Sequence, residues 1–226
     1  MIRRGPGTRR PDPRRFPAYT SHERFIDLIV HALCVLGVMI GTAWLVWGSS
    51  CCTDETGRLS LFAYMVALGG MVFASSAYNA VRIGRAKEVL RRIDHAMIYA
   101  LIAGTYTPFA VHHMDHAEGI GTSLWIVWGV ALAGVGLKLA FPRRLERLGL
   151  ALYLGLGWAL LVLGMPMWGA VGTLPMVLLA VGGVLYTLGT VVHLAHRLAY
   201  HNAAWHVFVL VAAGCHFAAV VLETAS

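Results

Sequence analysis

The chain has 226 residues, 58% of them hydrophobic and 13% charged, with a formal net charge of +7 and a pI near 9.6. Soluble domains carry about 25% charged residues, so this composition, with a mean hydropathy of +0.67, excludes an ordinary soluble domain. The basic residues sit at the ends of apolar runs, with no aromatic-basic platform or zinc-finger spacing among them. That excludes a nucleic-acid-binding module and fits the positive-inside distribution of a membrane protein.

In chain order, residues 1–20 are rich in Arg and Pro and precede the first apolar run. They read as a disordered basic tail and not as a signal peptide. Residues 21–226 read as one all-α domain of seven membrane spans, each near the roughly 20 residues needed to cross a bilayer. The spans are Phe25–Trp47, Leu59–Val81, Ile93–Val111, Thr122–Phe141, Leu148–Trp168, Leu174–His193 and Ala203–Leu222. Lys and Arg set the orientation. Seven lie through Arg24, five between Arg82 and Arg92, four from Lys138 to Arg147, and one is Arg197, which places 17 of 18 on one side and Arg58 alone on the other. The N-terminus is therefore expected in the cytoplasm and the C-terminus outside, in a multi-pass protein of the plasma (inner) membrane. Glycines recur within the spans, where small residues let helices approach closely. Cys34 and Cys215 fall in apolar runs and Cys51 and Cys52 in a loop. No pairing is readable from them, and thiols packed as small apolar groups are the favoured reading.

Polar residues inside the spans collect at the cytoplasmic ends, within about 10 Å of that surface at ~1.5 Å per residue. Glu23, Asp27 and His31 are spaced i, i+4, i+8 and share a helix face. Ser75 and Asn79 lie one turn apart in span two. Asp94 and His95 open span three, and Asn202 and His206 open span seven. Buried polar groups in lipid need partners, so Asp27, Asp94 and His206 are expected to share a polar cluster. His95 lies about 100° from Asp94 round the helix and off that face. His193, His196 and His201 are expected to be solvated near the last inner loop. His112, His113 and His116 with Asp115 read as a wet outer loop in preference to a metal patch. His216 has no evident partner. Span seven lacks the lysine a retinal Schiff base needs. His206 and His216 are too differently placed to hold haem, and no internal repeat suggests a transporter.

The stretch Ile93 to Phe109, with an Asp followed by Gly104-Thr105-Tyr106-Thr107-Pro108-Phe109, closely resembles the third helix of bacterial hemolysin III proteins. These belong with the progestin and adipoQ receptor (PAQR) family, in a wider group that includes alkaline ceramidases. Further matching parts are Ser75-Ser76-Ala77-Tyr78, Gly182 to Gly189, and Trp205 to Leu210 followed by His216-Phe217. The resemblance runs from about Ser21 to Val221. It implies seven helices, an inside N-terminus and a zinc site toward the cytoplasmic face. The family's zinc ligands are one His on helix two and two on helix seven, with an Asp on helix three beside the metal. Here Ser75, Asp94 and His206 match that pattern, but two ligand positions hold Asn79 and Asn202. Asp27 stands where the family usually has Asn. A neutral amide is a poor zinc ligand. The expectation is therefore that no zinc is bound and that these groups form a hydrogen-bond network. Zinc is expected only if the site is rebuilt with Asp27 and His31.

The leading expectation for function is a lipid-sensing or membrane-homeostasis protein with a degenerate zinc site. The alternatives are a zinc-dependent amide hydrolase of a ceramide-like lipid, with Asp94 as its catalytic residue, and a pore or proton-conducting channel. The partners expected are membrane lipids, with a homo-oligomer left open, and no nucleic acid, retinal or haem.

Overall fold

A computed structural model describes residues 19–48, 54–116, 118–141, 146–167 and 169–224, with the backbone alone for residues 46, 48, 146, 147, 160, 161, 163 and 166. Cys51, Cys52, Arg143, Arg144, Trp168 and the tail through residue 18 lie outside the described residues. Among the described residues there are seven α-helices, one 3-10 turn and no strand. The helices are α1 (Ser21–Gly48), α2 (Glu55–Ala80), α3 (Arg85–His112), α4 (Ile120–Ala140), α5 (Glu146–Leu163), α6 (Thr173–Leu194) and α7 (His201–Thr224).

Five of these, α1, α2, α4, α6 and α7, are long and apolar enough to cross a membrane. Their outer faces carry large apolar side chains into the surroundings, among them Phe73, Trp125 and Val191. In water such a surface would drive association, whereas in a bilayer it is the solvated face. The chain is a multi-pass, all-α membrane protein.

α3 departs from that rule for a physical reason. It packs against α2, α4, α5 and α7, and its length from Leu101 to Ala110 is mostly buried in protein. Its polar residues therefore face protein and not lipid. It also begins eight residues before the expected Ile93. The added turns, Arg85 to Arg92, are amphipathic. Arg91 is buried and pairs with Glu88 at 3.7 Å, while Arg85 is exposed. Lys87 donates to the carbonyls of Tyr78 (2.7 Å) and Val81 (3.1 Å), closing the C-terminal end of α2. Burial, with Arg24 nearby, holds the Lys87 ammonium below the usual lysine range. α5 is shorter than expected. It stops at Leu163, and a 3-10 turn at Met165–Met167 follows.

The helix contacts are set by small residues at particular points. A Cβ at Gly104 would meet Ala67 and the Tyr64 backbone, and one at Gly134 would enter the Tyr99 ring. Gly182 and Gly189 stand in the same way against His216 and against Trp205 and Phe208. Gly129, Gly136, Gly155 and Gly157 have open space instead, so only part of the glycine pattern serves close packing. Gly119 caps α4 with φ of 92°, a left-handed conformation that glycine adopts without steric penalty.

Three expectations about histidines are corrected. His113 is not in a wet loop. It is 3% exposed, and its Nε2 lies 2.7 Å from Oε1 of the buried Glu223 on α7. The Gly172 amide, at the start of α6, donates to the same carboxylate. His201 is not solvated either; it is buried and packs against Tyr19 and His196. His216 does have a partner, since its Nε2 donates to the Leu179 carbonyl at 3.2 Å. Cys34 and Cys215 are free and half-buried.

Candidate functional site

The polar groups of four helices converge at the end of the bundle where α1 begins. α1 starts with a capping box. The Thr20 amide and hydroxyl donate to Glu23 Oε2 at 2.8 and 2.9 Å, and the Thr20 hydroxyl accepts from the Glu23 amide. Glu23 also accepts from the Tyr200 amide at 3.1 Å. Tyr200 is the one described non-glycine residue with positive φ, 59°, a conformation rare for a bulky residue. The Glu23 bond thus ties the start of α1 to the turn that launches α7. Glu23 itself stays at the rim of the site.

One and two turns further along α1, Asp27 and His31 point inward and are buried. Asp27 Oδ1 lies 2.6 Å from His206 Nδ1 on α7. That is at the short extreme for an N–H···O bond to a carboxylate, about 2.7–2.9 Å. The other oxygen, Oδ2, accepts from the Asn202 side-chain amide at 3.2 Å. The His31 Nδ1 bonds the Asp27 carbonyl at 2.8 Å, which orients the ring. Its Nε2 faces the Ser75 hydroxyl and the Asn79 amide nitrogen, each at 3.4 Å. Asn202 also donates to Asn79 Oδ1 at 3.4 Å. His31 and His206 meet edge to face, with centroids 4.3 Å apart.

The side-chain amides of Asn79 and Asn202 are therefore in contact with each other and with the α1 pair. His206 takes its carboxylate from α1 and not from α3. Asp94 stands beside Ser75, half-buried, and lines the same cavity. His95 lines it as well. Among the described residues, Asp27, His31 and His206 are the one group of three whose candidate ligand atoms all lie within 4.8 Å of one another.

The cluster forms the polar part of a cavity of about 2070 Å³. Its rim holds Glu23, Arg82, Lys87 and Arg197; its depths hold Leu101, Phe109, Met167 and Val171. Sequence reasoning missed several lining or bracing groups. Lys138, counted only as an orienting charge, is 4% exposed and lines the cavity. His193 also lines it, with a buried Nδ1. Glu223 was passed over because the seventh span was ended at Leu222. An acid at the end of an apolar helix was the available signal.

An apolar helical bundle enclosing a cavity with one polar, carboxylate-and-imidazole end defines a multi-pass membrane protein with an internal amphiphilic site. The haemolysin-III related family profile matches residues 19–217, and the chain belongs to that family. It is 31% identical to the Hemolysin-3 homolog of Bacillus subtilis (strain 168) over 192 residues, 85% of this chain and 90% of that one. It is 32% identical to Hemolysin-3 of Bacillus cereus over 166 residues, 72% and 75% of the two chains. The human Monocyte to macrophage differentiation factor is 25% identical over 212 residues, covering 89% and 84%.

Proposed function

We propose that this haemolysin-III protein binds a membrane lipid in its internal cavity and acts as a lipid-responsive component of the inner membrane. The cavity carries the reading. It has one polar end, built on Asp27, His31, Asn79, Asn202 and His206, and long apolar walls. Such a space suits an amphiphile, with its headgroup at the cluster and hydrocarbon against Leu101, Phe109 and Met167. In the orientation expected from the basic residues the polar end would face the cytoplasm. The network needs no added ion to satisfy it. Asp27 accepts from two donors, and both amides have partners.

The test is lipid retention. Gly157 lines the cavity, and a Cβ there meets nothing within 4 Å. Gly157→Trp fills the space without displacing backbone. Native protein purified from membranes is expected to keep a lipid identifiable by mass spectrometry, and the variant to lose it. The same lipid at the same stoichiometry in both would overturn the reading.

One observation favours a second reading, a metal-dependent lipid amide hydrolase. Asp27, His31 and His206 fit a zinc ion in donor type and spacing: two imidazoles and a carboxylate, with ligand atoms within 4.8 Å. Catalytic zinc sites use three such ligands and leave a position open. These three residues would hold the ion. Held by them, zinc would supply Lewis-acid polarisation of a carbonyl and a water of lowered pKa. Asp94, beside Ser75, would hold a proton at its carboxylate, and Asn79 and Asn202 would orient the polar part of the lipid. Elemental analysis separates the readings. One zinc per chain, lost in both Asp27→Asn and His206→Ala, supports the hydrolase; none after zinc loading and washing supports the metal-free network.

A further inference from the structure

A second, smaller space lies behind the cluster, and nothing above gives it a role. It has a volume of about 560 Å³ and runs between α1, α2 and α7, within the ~300–1,000 Å³ range of small-ligand sites. On α1 it extends from His31 to Trp44, about 20 Å at ~1.5 Å per residue. Its walls are apolar, with Leu68, Val72, Leu210 and Phe217 among them, and polar groups appear only where His31, Ser75 and His206 close one end. Those three residues also line the large cavity, so they form a partition between the two spaces.

The space opens sideways. Gly37 and Gly214 border it, both are exposed, and a Cβ at either meets nothing within 4 Å. Protein interiors are close-packed, with few voids larger than a water molecule, so a gap of this size between helices is room for a further occupant. Within the membrane-spanning part of the bundle, the available filler for an apolar groove is hydrocarbon. The far end is marked by Trp44, 44% exposed, and Trp47, 80% exposed. Tryptophans gather at the level of lipid headgroups. The length exceeds half of a ~30 Å hydrocarbon core, so a chain anchored at the Trp44 end reaches beyond the midplane to the partition.

We propose that this groove is a binding site for one acyl chain of a bilayer phospholipid. The headgroup stays at the level of Trp44 and Trp47, and the chain lies between α1 and α7 past Gly37 and Gly214. Its methyl end rests against His31, Ser75 and His206. This site is separate from the internal cavity but touches the same histidines. The chain supports them from behind, and only a tail long enough to span the groove reaches them.

The test uses full-length protein in nanodiscs containing phosphatidylcholine with a photoactivatable diazirine on one tail. A diazirine at the tail terminus is expected to label peptides around His31 to Cys34 and Ser75. One near the ester is expected to label Ile40 to Trp44. Gly37→Phe and Gly214→Phe place rings in the open groove, and each should abolish the terminal label. Phosphatidylcholine with short tails should fail to protect the His31 region, and long-tailed lipid should protect it. Label spread evenly over the outer faces, at Trp125 and Val191 as much as in the groove, would overturn the site. So would the reverse order of the two probes along α1. Label confined to Phe109 and Met167 would also overturn it, while leaving the internal-cavity reading intact. The native-protein probes and the tail-length competition decide the matter even if a phenylalanine variant fails to fold.

Discussion

Removing the Asp27 carboxylate tests whether the α1–α7 connection holds the site together. In Asp27→Ala, the His206 Nδ1 loses its partner at 2.6 Å and the Asn202 amide loses its partner at 3.2 Å. His206 is 7% exposed, so its ring nitrogen has little access to replacement water except from the cavity. Leaving a buried donor unpaired costs about 1–3 kcal/mol, and more where a charge was involved. Hydrogen bonds between membrane helices measure lower, about 0.6 kcal/mol on average and up to about 1.7. The short bond to a carboxylate belongs at the upper end of that range and the 3.2 Å bond at the lower end. Together they give a destabilisation of about 2–3 kcal/mol. For a chain of this size each kcal/mol moves Tm by about 2–4 °C, so the melting temperature in detergent should fall by roughly 5–10 °C. Asp27→Asn keeps an acceptor for His206 and should lose about half as much. The assay is thermal unfolding of purified protein, followed by intrinsic fluorescence or by loss of the monodisperse peak. An Asp27→Ala variant melting within about 2 °C of the native chain would show that the α1–α7 contact is incidental to stability.

Glu223→Ala should destabilise the opposite end of the bundle. It removes the acceptor shared by His113 and the Gly172 amide, so a fall in Tm of several degrees is expected, and an unchanged Tm would refute the bracing role. The double variant Asn79→His with Asn202→His places imidazoles where two amides now stand 3.4 Å apart, beside His206. It should retain zinc after loading and washing where the native chain retains none; equal zinc in the two would count against that expectation. Reporter fusions should find the N-terminus in the cytoplasm and the C-terminus outside, and a C-terminal reporter active only in the cytoplasm would reverse the orientation.

The helices were legible because lipid demands long apolar runs, and those runs stand out in composition alone. The ends were less legible. The first turns of α3, Arg85 to Arg92, look like a charged loop, and only the packed structure shows Arg91 turned inward while Arg85 faces out. α5 ends at Leu163, although apolar residues continue toward Trp168, because hydropathy does not register a change from α to 3-10 geometry. The depth of the site residues could be counted at ~1.5 Å per residue, which put Asp27, Asn79, Asp94, Asn202 and His206 at one level. Azimuth and helix adjacency could not be counted. Both Asp27 and Asp94 lie at the depth of His206, and both α1 and α3 pack against α7; the direction each carboxylate faces round its helix decides that Asp27 takes the 2.6 Å bond. The pairing of His113 with Glu223, 110 residues apart, depends on which helices are neighbours.

The groups of the cluster are coupled by charge. Asn79 and Asn202 supply two neutral amides and Asp27 one carboxylate. Without a cation, a buried carboxylate is costly unless it is paired and hydrogen-bonded. Here the pairing comes from His206 and the second hydrogen bond from Asn202, one of the two amides. Without Asp27, Asn202 would have no anion to bond and His206 would lose its close partner, while Asn79 joins the network through Asn202 and His31. These groups therefore work as one unit, centred on α1. The same helix borders both the internal cavity and the groove behind it, and its outer face is largely exposed to lipid. Asp27 and His31 stand on this one helix, tied to α7 by the hydrogen bonds to His206 (2.6 Å) and Asn202 (3.2 Å) and by the contact of the two imidazole rings. The proposed lipid-responsive role rests on where the charge sits: on a helix with a lipid-facing outer side and at the wall shared by both spaces.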